Sequence, residues 1–221
     1  MLYIIATPIG NLGDISLRAL EFLKKVDYLL CEDTRNAGIF LDNLGIKNKP
    51  KLISFYDEIE EQKIPEILRL LSEDKEVGLI TDAGTPIVSD PGFKLVKRCR
   101  ELGYLITSIP GPSALINALV LSGMPSGRFS FLGFLPKRAG ERKKVLEKYK
   151  DFDGVKIIYE SPFRLVKLIE EIKNICGEKT QVSIVREMTK KFEEVIGGSA
   201  LEVFQKINSK NIKGEIVVIF E

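Results

Sequence analysis

Apolar residues fall in two rhythms along the chain. In the first half, five short runs, "LYIIA", "VDYLLC", "KLISF", "VGLI" and "YLITSI", alternate with stretches of helical apolar spacing such as Leu17, Leu20, Leu23 or Phe93, Val96, Leu102. Buried strands alternating with amphipathic helices predict an α/β domain with a mainly parallel sheet. Ser16 can cap "LRALEFLKKV", with Ile15 and Leu20 placed as a hydrophobic staple, and Asp90 followed by Pro91 is expected to cap "GFKLVKRCREL", which Gly103 ends. From about residue 116 the texture changes. "FSFLGFL", "VKIIYE", "QVSIVREM", "EEVIGG" and "GEIVVIFE" read as strands, with helices near 139–149, 162–175 and 199–208, so this half is expected to hold a mixed sheet. The boundary falls near 113–125, giving an N-terminal α/β domain over 1–115 and a C-terminal one over 116–221.

Composition narrows the chemistry. With 221 residues, 44% hydrophobic and 29% charged, the chain has the make-up of a soluble globular protein. Its opening "MLYIIATPIG" resembles neither a signal peptide nor a membrane span, which points to the cytoplasm and away from membranes. Cys31, Cys99 and Cys176 are widely spaced among apolar residues and read as core, not as disulfide or zinc ligands. There is no histidine, which removes the commonest general base, the usual hydrolase triad and most transition-metal sites. Proton transfer must then use a carboxylate, a lysine, a tyrosine or water. The net charge of +2 is uneven: residues 1–115 carry 14 basic and 17 acidic side chains, and residues 116–221 carry 19 and 14.

Three turn-rich segments follow strands in the first half: "TPIGNLGD" (7–14), "TDAGTPIVSDPG" (81–92) and "PGPSA" (110–114). Each alone is also what a tight connection looks like. In an open parallel sheet, however, all three reach the edge where ligands bind. None matches a phosphate loop or a dinucleotide fingerprint. Loops with few cations, and with Asp82 among small neutral residues, suit a ligand held by backbone groups and carrying a positive centre, as a sulfonium does.

The blocks "IATPIGNLGDISLRAL", "CEDTR", "ITDAGTPIVSDPG", "PGPSAL", "FLGFLPK", "YESPFRL", "REMTKKFEE" and "KGEIVV" resemble, in order and over nearly the whole chain, the ribosomal RNA small subunit methyltransferase I family. That resemblance implies a two-domain tetrapyrrole methylase-like fold, usually a homodimer, with S-adenosylmethionine in the cleft between domains. It implies methylation of the ribose 2′-hydroxyl of a cytidine in the decoding region of 16S rRNA, with the 30S subunit as a partner. By position in the motifs, Pro8, Gly10, Asp82, Gly84, Thr85, Ile87, Val88, Ser113 and Ala114 are expected to border the donor. Glu160, Ser161, Glu187, Met188, Gly214 and Glu215 are expected to close over it.

A ribose hydroxyl needs a base, and the candidates are Glu32, Asp33 and Glu187, with Lys190 if burial or a cation lowers its pKa. "CEDTR" has two readings: a charged cluster orienting the substrate, with Arg35 on a phosphate, or a helix start in which Asp33 or Thr34 caps and Glu32 pairs with Arg35. "REMTKKFEE" is a solvated hairpin or a clamp carrying Arg186, Glu187, Lys190 and Lys191. Between 137 and 150, Lys137, Arg138, Arg142, Lys143 and Lys144 are expected to form a positive patch for phosphate contacts. Phe129, Phe131 and Phe134 read as core. The rival readings are a methyltransferase of the same fold acting on a tetrapyrrole or on the modified histidine of elongation factor 2, a non-catalytic RNA-binding assembly factor, and, more weakly, a nucleotide hydrolase.

Overall fold

The apolar runs of the first half become strands β1 (Leu2–Ile5), β2 (Tyr28–Cys31), β3 (Lys51–Ser54), β4 (Val77–Leu79) and β5 (Ile106–Ile109). The structure, a computed structural model, describes residues 1–221 and divides into two compact units, Met1–Ser113 and Ala114–Glu221. In the first unit the five strands form one parallel sheet in the order β3-β2-β4-β1-β5. Between them lie α1 (Leu17–Lys25), α2 (Thr34–Asn43), α3 (Glu60–Ser72) and α4 (Phe93–Glu101).

Side chains alternate across a strand. Leu2 and Ile4 therefore join Leu30 and Ile53 in a core with Ile67 and Leu71 of α3 and Leu95 and Cys99 of α4. Tyr3, Ile5, Leu29 and Cys31 face the other way, onto Ala19 and Leu23 of α1 and Ala37 and Leu41 of α2. A sheet covered on both faces must be apolar on both, so its strands read as continuous hydrophobic runs. Neighbouring β1 and β4 send their chains in opposite directions, β1 to α1 on one face and β4 to α4 on the other. This divergence opens a crevice at the carboxyl ends of the two strands, where open parallel sheets bind ligands.

Ser16 caps α1 as expected, accepting from the Ala19 amide at 3.1 Å. The expected cap of α4 is corrected. Asp90 does not cap it; the N-cap is Gly92 at φ 123°, and the Leu95 amide donates instead to Glu60 Oε1 of α3 at 3.1 Å. Gly92 has a second reason to be glycine, since a Cβ there would lie 2.7 Å from Leu79 Cδ2.

The second unit holds β6 (Phe129–Phe134), β7 (Val155–Glu160), β8 (Gln181–Arg186), β9 (Glu194–Ser199) and β10 (Ile216–Phe220) in the order β6-β7-β10-β8-β9. Only β6 and β7 are parallel, so this sheet is mixed. Its helices are α5 (Ala114–Ser122), α6 (Ala139–Tyr149), α7 (Pro162–Cys176) and α8 (Ala200–Ile207). Ile158, Ile184, Val218 and Phe220 pack on Leu165, Ile169 and Ile172 of α7 and Val203 and Ile207 of α8. No helix is long and apolar enough to cross a membrane.

Two expectations fail here. Phe129 and Phe134 are exposed instead of core, and Phe131 is half-buried, because β6 is an edge strand whose register slips between Phe131 and Phe134. Phe131 and Phe134 meet Tyr159 edge-on at 4.8 and 5.6 Å. Arg142, expected in the exposed basic patch, is only 3% exposed. Its Nε and Nη2 donate to Glu171 of α7 at 2.5 and 2.7 Å, and its Nη1 donates to the Pro136 and Lys137 carbonyls at 3.3 and 3.1 Å. A helix that buries Leu146 also buries the position four residues before it.

Removing one partner of a buried pair strands the other. Arg142→Ala is therefore expected to lower the unfolding free energy by about 3 kcal/mol, against less than about 0.5 kcal/mol for exposed Lys143→Ala. Urea denaturation compares the two, and equal small losses would contradict the buried-pair assignment.

Candidate functional site

The three turn-rich loops of the first unit meet at the crevice. Thr7 and Gly84 exchange backbone hydrogen bonds, Thr7 N to Gly84 O at 2.8 Å and Gly84 N to Thr7 O at 3.1 Å. The Thr85 hydroxyl then joins the second loop to the third by donating to the Pro112 carbonyl at 3.0 Å. Gly84 has φ 89°, and Ile87 and Ser89 hold φ 77° and 68°, unfavourable for side-chain-bearing residues and costliest for β-branched Ile87. Gly10 and Asp82 are exposed at this edge, Pro8 is buried, and Thr85, Ile87, Val88, Ser113 and Ala114 are half-buried. Residues 6–14, 80–92 and 110–113 contain no lysine or arginine. Neutral backbone beside carboxylates fits a cationic sulfonium ligand and is unsuited to phosphate.

Carboxylates gather beside these loops. Glu32, just past β2, accepts from the Thr81 hydroxyl at 2.6 Å and the Asp82 amide at 3.3 Å. Burial and Glu32 push the Asp82 carboxyl up. Asp90 is pushed up to about 6 by burial, then by Glu32, with Asp57 and Asp82 adding and a Thr81 hydrogen bond opposing. Sequence reasoning missed this residue because "SDPG" looks like a helix start, and no local signal shows that Glu60 takes the capping task.

The two readings of "CEDTR" divide between its residues. Asp33 caps α2, accepting from the Arg35 amide at 2.8 Å, and its bonds to the Arg35 side chain and amide hold it down to about 2. Arg35 is exposed but pairs with Asp33 at 2.8 Å, and the expected Glu32–Arg35 pairing is replaced by this one. Glu32 remains as the carboxylate aimed at the second loop.

In the second unit, "REMTKK" and "KGE" lock together. Glu187 N donates to Glu215 O, and Glu215 N donates back to Glu187 Oε1, both at 3.0 Å. Lys190 Nζ sits 3.2 Å from Glu187 Oε1 and 2.9 Å from Glu215 Oε2. Gly214, at φ 93°, lies under the Glu187 carboxylate, which any Cβ there would overlap. The Glu215 amide, then Lys190, lowers the Glu187 pKa against an opposing effect of burial. Burial pulls the Lys190 pKa down, but Glu215 and Glu187 together outweigh it and the net shift is upward. The condition for Lys190 to act as a base is therefore not met. Met188 is buried, and Ser161 is the N-cap residue of α7. Glu160 is buried, with one oxygen taking the Ser161 amide and Arg164 Nε, both at 2.7 Å, and the other unpaired.

Of the expected RNA contacts, Lys137, Arg138, Lys143, Lys144 and Lys191 are exposed, while Arg142 is core. Arg186 is also corrected: its side chain is 18% exposed and engaged with Glu194 at 3.0 Å and the Lys213 carbonyl at 3.2 Å. It braces the hairpin.

The Asp90 environment has a measurable sign. Between the ordinary carboxylate value of about 3.9 and about 6, the folded chain keeps a proton that the unfolded chain has lost. Stability therefore falls as pH rises through that window. Asp90→Asn is expected to raise the unfolding free energy by about 1 kcal/mol above pH 6, a figure reduced for solvent screening, with no gain below about pH 4. Urea unfolding at pH 4 and pH 8 checks it, and a pH-independent difference would refute the assignment.

Residues 1–203 match the family of Tetrapyrrole (Corrin/Porphyrin) Methylases. The ribosomal RNA small subunit methyltransferase I of Haemophilus influenzae is 42% identical over 100% of this chain and 78% of its own length. That of Thermotoga maritima is 43% identical over 99% and 96%. Among solved structures, a cobalt precorrin-4 methyltransferase of cobalamin biosynthesis aligns with TM-score 0.69 at 19% identity, covering 99% of this chain and 93% of that one. The uroporphyrin III C-methyl transferase of Thermus thermophilus aligns at 0.67 with 17% identity, covering 99% and 96%. At these identities the structural likeness is one of fold. The chain therefore belongs to the tetrapyrrole methylase family and, within it, to the ribosomal RNA small subunit methyltransferase I group.

Proposed function

We propose that this chain transfers a methyl group from S-adenosylmethionine to the ribose 2′-hydroxyl of a cytidine in the decoding region of 16S rRNA, acting on the 30S subunit as a homodimer. The observation that carries the donor assignment is the meeting of three cation-free, glycine- and proline-rich loops at the switch crevice of the first unit. Relatives named for small-subunit rRNA methylation along the full chain support the choice of RNA over a tetrapyrrole.

When bound, the donor supplies an activated methyl group on a positive sulfur. The loops hold it through backbone groups around Gly84 and Thr85, with Asp82 facing the positive charge. Transfer to oxygen is an in-line displacement, so alignment and exclusion of water supply most of the rate. Glu32 is the assigned base. Asp33 is committed to its cap and to Arg35, and Glu187 and Lys190 are committed to each other. The hydrogen bonds from Thr81 and Asp82 fix the Glu32 carboxylate while leaving it able to accept a proton. Exposed Lys137, Arg138, Lys143, Lys144 and Lys191 supply phosphate contacts.

The test offers radiolabelled donor with unmethylated 30S subunits and, in parallel, naked 16S rRNA, followed by mass mapping of labelled nucleosides. The expected product is a 2′-O-methylcytidine, and donor binding without label in either would move the assignment to a small-molecule or protein substrate. Glu32→Gln is expected to lower kcat roughly 10²–10⁴-fold with calorimetric donor affinity retained; an unchanged kcat would exclude Glu32 as the base. Lys143→Glu with Lys144→Glu is expected to weaken RNA binding and flatten its dependence on log salt. An unaltered slope would remove these lysines from the interface.

A further inference from the structure

The first turn of α7 carries an aromatic ring that packs on almost nothing. Phe163 is 98% exposed, while the same helix buries Leu165, Leu168, Ile169 and Ile172. The turn does not need that ring for its shape. Pro162 opens the helix, Arg164 Nε donates to Glu160, and Arg164 Nη1 donates to the Leu135 carbonyl at 3.1 Å.

Single exposed apolar residues are common on protein surfaces. What distinguishes Phe163 is the charge brought beside it. The bond from Arg164 to Leu135 ties the first turn of α7 to the segment 135–138, and Arg142 clamps that segment through the carbonyls of Pro136 and Lys137. Exposed Lys137 and Arg138 are thus held on a fixed backbone next to the turn that carries Phe163. Lys167, one turn on at i+4, shares the helix face of Phe163 and is exposed. Neither lysine has an ion-pair partner, and Arg138 has only a 3.5 Å contact with Glu141. The acidic Glu160 and Glu171 beneath them are buried and neutralised by Arg164 and Arg142; Glu170, further along α7, is the exposed acid on this side of the helix.

A flat ring flanked by cations matches an unpaired nucleotide, whose base stacks on the ring while its neighbouring phosphates take the charges. We propose that Phe163 is a stacking platform for an unpaired base of the RNA substrate, with Lys137, Arg138 and Lys167 holding the adjoining phosphates. The inference rests on the RNA reading above and adds a residue to it. Stacking is tolerant of base identity, so Phe163 contributes affinity and positioning and does not select the cytidine.

The test measures affinity for unmethylated 30S subunits by wild type, Phe163→Ala, Phe163→Leu and Phe163→Trp. Both Ala and Leu are expected to weaken binding roughly 5- to 150-fold, and Trp to retain it, since leucine keeps the apolar bulk but has no π face. Calorimetric donor affinity should be the same in all four, because Phe163 makes no contact that supports the fold. Wild-type affinity in the Ala and Leu variants, or retention by Leu and loss by Ala alone, would overturn the stacking role. A lighter sedimenting species for Phe163→Ala would instead assign the ring to contact with a second copy of the chain, which also overturns it. Failure of the wild type itself to bind 30S subunits would remove the RNA reading and the inference with it.

Discussion

Two hydrogen bonds between the backbones of Thr7 and Gly84 are the constraint on which the first unit's site depends. They close the loops after β1 and β4 across the gap left when those strands send their chains to opposite faces. The Thr7 hydroxyl reinforces the closure by donating to the Thr81 carbonyl at 3.2 Å. Gly84 accepts its place because of its φ of 89°, and a Cβ would press on Ile9 Cγ2 at 3.3 Å. With these polar groups satisfied internally, the loop's own contacts define its shape, and less ordering is left for binding to supply. Ile87 holds its unfavourable φ while its side chain packs against the core shared with α3 and α4.

The two units manage charge in different ways. The first gathers carboxylates at its sheet edge, where burial first and repulsion from Glu32 second keep Asp82 and Asp90 harder to ionise. The second buries its opposite charges in pairs, Arg142 with Glu171 and Arg164 with Glu160. These pairs hold the carbonyls of Leu135, Pro136 and Lys137 from below, so the exposed cations on that segment rest on a framework of guanidinium hydrogen bonds. The interior arginines determine where the exterior ones stand.

Much of this was legible in the sequence. The continuous apolar runs identified all five parallel strands, the turn-rich loops at their ends identified the crevice, and Ser16 behaved as its local motif indicates. The ordered blocks pointed to the family that the full-length relatives share. What stayed hidden was partnership over distance. Asp90 looked like a cap because its sequence neighbours suit one, whereas the acceptor that closes α4 is Glu60, 35 positions before the Leu95 amide it receives. Arg142 sits within a charge run whose density hid its place four residues before buried Leu146. Lys190 lies between Glu187 and Glu215, and only the fold brings the latter near. Composition records a charge, but the tertiary structure decides what that charge faces.

The closure of α4 by Glu60 also ties the crevice to a distant contact. A nine-residue helix is too short to persist alone in water, and this one lacks a local acceptor for its Leu95 amide until α3 has docked. The loop spanning 81–92 is anchored at its far end by α4, so its shape depends on how α4 packs on α3. The ligand crevice thus rests on a contact made on the sheet face covered by α3 and α4, away from α1 and α2. A change that loosens the α3–α4 contact would reach the ligand through the far end of that loop, without touching any residue that borders it.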